Sequence, residues 1–142
     1  MKNKLLTAAA VCAVLILCAC EEPRATNTVP AYPFDTLHGN WIRIGNIGTM
    51  GVTKLKSYTK NGTEEWMEWT ALETTNKLKC NDIKNLRPGL YTFDWQLYDE
   101  STSTLQPGIF MRIQIAIESP DMIYMKTNSE AMAGGLIMTR VN

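Results

Sequence analysis

Ile109-Phe110-Met111-Arg112-Ile113-Gln114-Ile115-Ala116-Ile117 places isoleucine or methionine at every odd position. Side chains of an extended chain alternate between two faces, so this period of two predicts a half-buried strand whose odd residues point into a core. A helix, repeating every 3.6 residues, would scatter the same five side chains around its circumference. Pro107-Gly108 before the run and Pro120-Asp121 after it are turn signals that bound the strand.

The same alternation extends in both directions. Leu90 to Tyr98 follows Pro88-Gly89 and sets Tyr91, Phe93, Trp95 and Leu97 on one face, with Thr92, Asp94 and Gln96 on the other. Met122 to Thr127 and Leu136 to Val141 read as two further short strands, separated by the stretch from Asn128 to Gly135. Upstream, Val52 to Lys60 and Glu64 to Ala71 flank Asn61-Gly62, a pair suited to a two-residue hairpin turn because both residues accept positive φ. Leu37 to Ile44 and Leu78 to Ile83 complete the set. Glu64 to Ala71 carries a competing signal, since Thr63 could cap a helix with Glu64 and Glu65 in its first turn. The hairpin offset from Asn61-Gly62 favours strand.

About eight short strands joined by short turns predict an all-β domain, an antiparallel up-and-down meander. Closing the meander into a small barrel removes its exposed edges; an open sandwich is the alternative.

The N-terminal residues follow a different logic. Lys2 and Lys4 precede an apolar run from Leu5 to Leu17 of about thirteen residues, the length of a secretory h-region and short of the roughly twenty that span a bilayer. The run ends in Leu17-Cys18-Ala19-Cys20, which resembles the lipobox of bacterial lipoproteins. The resemblance implies cleavage before Cys20, a diacylglyceryl group on its thiol and acylation of the new amine, hence membrane anchoring through palmitate-type chains. Leu17 is too large to precede the cleavage site, which excludes Cys18 as the modified residue. A plain secretory signal is the alternative. Glu21 in place of aspartate implies the outer membrane if the envelope is Gram-negative. Residues 1–19 are thus expected to be a signal peptide, 20–33 a lipidated cysteine with a linker punctuated by Pro23, Pro30 and Pro33, and 34–142 one domain.

Composition narrows the function. Of 14 basic residues Lys2 and Lys4 leave with the signal, so 12 face 14 acidic ones, a net charge of about −2 with no basic run. A nucleic-acid partner is not expected. With Cys12 and Cys18 removed and Cys20 acylated, Cys80 alone remains, so no internal disulfide is expected and an ordinary core must hold the domain. Cys80 reads as a half-buried strand residue rather than a nucleophile.

Leu37-His38-Gly39-Asn40-Trp41 resembles the Gly-x-Trp opening of lipocalins and fatty-acid-binding proteins, the calycin group. In that group the tryptophan lies at the closed end of the barrel, and a basic residue from the last strand crosses over it to hydrogen-bond the chain near the N-terminus. Arg140, in Met138-Thr139-Arg140, is the candidate here. The resemblance implies a calycin-like barrel with Gly39, Trp41 and Arg140 as its structural signature.

Chemistry is sparse. His38 is the sole histidine, and no His or Cys spacing suits a metal; no cofactor is expected. No nucleophile-base set assembles around His38. Gly45 to Gly51 is glycine-rich but lacks the Lys-Ser/Thr of a phosphate loop. Glu65, Glu68 and Glu73 could form an acid-base pair beside Trp66 and Trp69; a solvated face is the plainer reading.

These readings predict a non-enzymatic, envelope-anchored protein that binds a small apolar or amphipathic ligand, with Tyr91, Phe93, Trp95, Met111, Ile113 and Met138 lining its site. Deformable methionines suit such a surface, though they fill cores equally well. The alternative is a protein-binding module, an inhibitor or immunity lipoprotein acting on an envelope hydrolase, with Trp66 and Trp69 as anchors.

Overall fold

A computed structural model of the chain describes residues 31–43, 52–128 and 134–142. Nine strands follow a short 3-10 turn at Phe34–Leu37: β1 (Gly39–Arg43), β2 (Lys54–Lys60), β3 (Glu64–Ala71), β4 (Thr74–Arg87), β5 (Leu90–Asp99), β6 (Thr104–Leu105), β7 (Met111–Ser119), β8 (Met122–Thr127) and β9 (Leu136–Val141). All pairings are antiparallel, in the order β4-β3-β2-β1-β9-β8-β7-β5, and β4 pairs with β5 to close a ring of eight. The two-residue β6 lies outside that ring, against the Tyr98–Asp99 end of β5. The expected all-β, closed, up-and-down barrel is therefore the fold.

Register decides which side chains enter the barrel. Trp41 sits opposite Leu55, which sits opposite Trp69, and this row faces inward. The neighbouring row of Ile42, Lys54 and Thr70 faces outward. Inward residues from all eight strands of the ring merge into one core, in which Trp41, Met67, Phe93, Trp95, Ile113, Met125 and Met138 are buried. Each such side chain contributes roughly 1.5–3 kcal/mol on leaving water.

Glu64–Ala71 is strand, not helix. At its start Asn61 and Gly62 both adopt positive φ, 54° and 73°, and the Thr63 N–H donates to the Lys60 carbonyl across the turn at 3.3 Å. As a result Trp66 and Trp69 face opposite sides of the sheet.

Besides the added strand β6, three elements differ from the sequence reading. The strand read from Ile109 begins at Met111: Gly108 turns the chain at φ 89°, and the Phe110 N–H donates to the Trp95 carbonyl before the ladder starts. Ile109 and Phe110 are left exposed. β4 runs 14 residues rather than ending near Ile83, because a bulge with Asp82 at φ 52° shifts the register between Asn81 and Lys84 and breaks the alternation. Finally, Phe34–Leu37 is a 3-10 turn that buries Leu37 beneath the barrel.

Candidate functional site

The two ends of the barrel are built differently. At the end where β1 begins and β9 finishes, the Trp41 indole donates its N–H to the Leu37 carbonyl at 2.8 Å. The Arg140 guanidinium lies 4.3 Å above the Trp41 ring. It donates to the carbonyls of Thr36 at 2.6 Å, His38 at 2.7 Å and Pro120 at 2.8 Å. A planar fork of donors can serve three carbonyls at once, and its flat face can also rest on an aromatic ring. Gly39, Trp41 and Arg140, read from opposite ends of the sequence, thus meet in one place.

The same end is plugged by the segment that leads into β1. Phe34 meets Tyr91 and Phe93 edge-on, with ring centroids 5.4 and 5.7 Å apart. Tyr32 packs on the core, and its carbonyl accepts from the Tyr91 hydroxyl at 2.9 Å. Packing that belongs to the barrel therefore begins before residue 34.

The six residues expected to line a ligand site all face inward but do not form one surface. Tyr91 and Phe93 are spent on the plug. Ile113 and Met138 are fully buried among other core side chains. Trp95 and Met111, opposite each other on β5 and β7, lie toward the other end. There Trp69 packs against Trp95 with centroids 5.9 Å apart, and half-buried Trp69, Leu97 and Met111 complete the apolar surface. Trp69 joins this surface because Glu64–Ala71 is extended, and Leu97 because it continues the inward row of Phe93 and Trp95 on β5; alternation along β3 and β5 was the signal available for them.

Among the described residues, Ser57 Oγ is buried without a hydrogen-bond partner, and the buried Trp95 indole N–H finds no oxygen or nitrogen acceptor but lies toward the Cys80 sulfur. Cys80 lies directly opposite Trp95 in the ladder and is buried rather than half-buried. Burial pushes its thiol far up from the ordinary range, so it is held protonated and is no nucleophile.

The rim of the Trp69–Met111 end carries exposed apolar residues on separate connections: Val52 before β2, Leu72 in the β3–β4 turn, and Ile109 with Phe110 before β7. The glycine-rich stretch from Gly45 to Gly51 falls outside the described residues.

Around Trp66 the outer wall is polar and paired. Trp66 is buried although it points outward, because Tyr98 stacks edge-on at 5.7 Å and the Lys60 ammonium sits 4.6 Å over its ring. Glu64 accepts from Lys79 and from the Trp66 indole, which hold its carboxyl below the usual range. Neither tryptophan is therefore an exposed anchor. A groove of about 440 Å³ runs along the outside of β1–β3 between Lys54, Lys56, Glu68 and Thr70, separate from the interior. Glu65, Glu68 and Glu73 do not come together: Glu65 faces His38, Glu68 faces outward toward Tyr58, and Glu73 lies in an exposed turn.

Sequence spacing offered no metal set. The fold nevertheless brings Asp35, His38 and Glu65 to within 4.8 Å of one another at the plugged end. The signal for this lay in pairing rather than in spacing, since Glu65 arrives through the β2–β3 hairpin.

What the fold and site define is a closed eight-stranded antiparallel barrel, sealed at one end and apolar at the other. No protein-family model, curated protein or solved structure matches the chain.

Proposed function

We propose that this is an envelope lipoprotein, anchored through Cys20, whose calycin-like barrel holds a small apolar or amphipathic molecule at its unplugged end. It is a binding protein, not an enzyme. The observation that carries the reading is the asymmetry of the barrel. One end spends its aromatic and cationic groups on itself, through Phe34, Tyr91, Trp41 and Arg140. The other leaves Trp69, Leu97 and Met111 partly uncovered. Apolar surface covered by a guest there would contribute roughly 25 cal/mol per Å².

Native mass spectrometry of the protein taken from its own membranes, combined with fluorescence titration by a long-chain fatty acid, tests this. A co-purifying small molecule is expected, together with quenching that Met111→Arg abolishes and Tyr91→Phe at the plugged end preserves. Absence of any bound molecule, with identical titrations for both variants, would remove the reading.

A second reading rests on Val52, Leu72, Ile109 and Phe110, which project from three connections at the same end. They suit a partner protein in the envelope, and in that case the same spectrum carries a second polypeptide in place of a small molecule.

A further inference from the structure

Asp35, His38 and Glu65 converge because of the path the chain takes beneath the barrel. Asp35 lies on the 3-10 turn, and His38 closes that turn by donating its N–H to the Asp35 carbonyl at 3.0 Å. Positions three apart in 3-10 geometry lie on one side of the turn. Glu65 comes from the second residue of β3, opposite Thr59 on β2. His38 Nε2 stands 2.7 Å from Glu65 Oε2, and Thr59 Oγ1 donates to Glu65 Oε1 at 3.0 Å while lying 3.3 Å from His38 Nε2.

The charge at this place is unbalanced. Among the described residues neither carboxylate is ion-paired with a lysine or an arginine. Arg140, which reaches the His38 carbonyl, turns its donors to backbone carbonyls and its one carboxylate contact to Asp121. Two residues from Thr59, on the same inward face of β2, the hydroxyl of Ser57 is buried and has no partner.

We propose that Asp35, His38 and Glu65 bind a divalent first-row transition-metal ion, of which Zn²⁺ is the representative, at the plugged end of the barrel. One imidazole nitrogen and two carboxylate oxygens form a three-donor set that leaves a coordination position for water. Ca²⁺ and Mg²⁺ prefer all-oxygen shells of six or more ligands and suit it poorly. Bound there, the ion ties the turn that precedes β1 to the β2–β3 hairpin and neutralises the two carboxylates. The site lies at the opposite end from the proposed ligand surface, so either can hold without the other.

His38 is the only histidine in the chain, which makes the test clean. The untagged mature protein, beginning at acylated Cys20 and held in detergent, is titrated with ZnCl₂ by calorimetry and by NMR of the imidazole Cε1–H. One ion per chain is expected, with a dissociation constant on the order of micromolar, and the imidazole signal should move in step with it. His38→Gln is expected to weaken binding about 100-fold. Asp35→Asn, at an exposed position whose carboxylate has no hydrogen-bond or ion-pair partner among the described residues, should weaken it about tenfold with an unchanged circular dichroism spectrum. Failure to bind Zn²⁺, an imidazole signal that stays still while ions bind, or equal affinity in Asp35→Asn would each overturn the proposal.

Discussion

Gly39 and Arg140 share one space: a Cβ built on Gly39 would stand 2.5 Å from Arg140 Nη1. Gly39 also holds φ at 127°, which L side chains rarely adopt. Gly39→Ala therefore meets two obstacles, backbone strain of about 1–3 kcal/mol and displacement of the guanidinium. Urea unfolding should show a loss beyond the strain alone. In the double variant Gly39→Ala/Arg140→Met the two losses should not add, because the second has already removed the atom the first collides with.

Arg140→Lys keeps the charge and loses the geometry. An ammonium on a flexible stem cannot donate to the carbonyls of Thr36, His38 and Pro120 together while lying flat on Trp41. Half-buried carbonyls would lose their partners, at about 1–3 kcal/mol. A lysine variant as stable as the parent in urea would show that charge alone matters at this position.

Cys80 gives stability a dependence on alkaline pH. Burial raises its thiol above the ordinary range. Below that range the folded and unfolded chains both keep the proton, and the thiol contributes no slope. Above it the unfolded chain loses the proton while the folded chain retains it, so stability falls as pH rises, by up to about 1.4 kcal/mol per unit. Unfolding curves of the parent chain and Cys80→Ala, compared between pH 8 and 10.5, should diverge by this slope. The native thiol should also resist a disulfide reagent that modifies it readily in urea.

Much of the fold was legible because burial imposes alternation. Glu64–Ala71, Met122–Thr127 and Leu136–Val141 have the bounds the sequence suggested. β4 was read short because Asp82 breaks the alternation with a bulge, and the residues beyond it face solvent on both sides. Ile109 was read as inward because a strand pattern does not show where pairing starts. The site was less legible. Inward direction could be read for Tyr91, Phe93 and Trp95, but which end of the barrel is sealed depends on Tyr32 and Phe34 folding back under it. Asp35, His38 and Glu65 meet only through that same long-range closure.

Tyr91→Phe isolates one contact of the plug. It deletes the hydroxyl that donates to the Tyr32 carbonyl and leaves the ring against Phe34. A loss of about 0.5–1.5 kcal/mol is expected, the net worth of one hydrogen bond. Amide exchange near residues 31–34 should accelerate while the β7–β8 ladder keeps its protection, because the contact fastens a leading segment rather than the sheet.

Anchoring through Cys20 makes a prediction that separates two neighbouring cysteines. Lipid on that thiol would hold the chain to a membrane, and two or three acyl chains suffice where one is marginal. Cys20→Ser removes the only acceptor, so the chain should leave the membrane pellet. Cys18→Ser should leave anchoring intact, because serine fills the small-residue place equally well. About a dozen residues separate Cys20 from Tyr32, which at roughly 3.3–3.6 Å each allow a reach of no more than about 40 Å. Since Tyr32 is fastened to Tyr91 at the plugged end, a barrel so tethered stays within that distance of the bilayer and is held by its sealed side. Fractionation of the two serine variants, with the mass of the N-terminal peptide, decides it: a Cys20→Ser chain still in the pellet after a carbonate wash would mean that something other than acyl chains on this thiol holds the protein to the membrane.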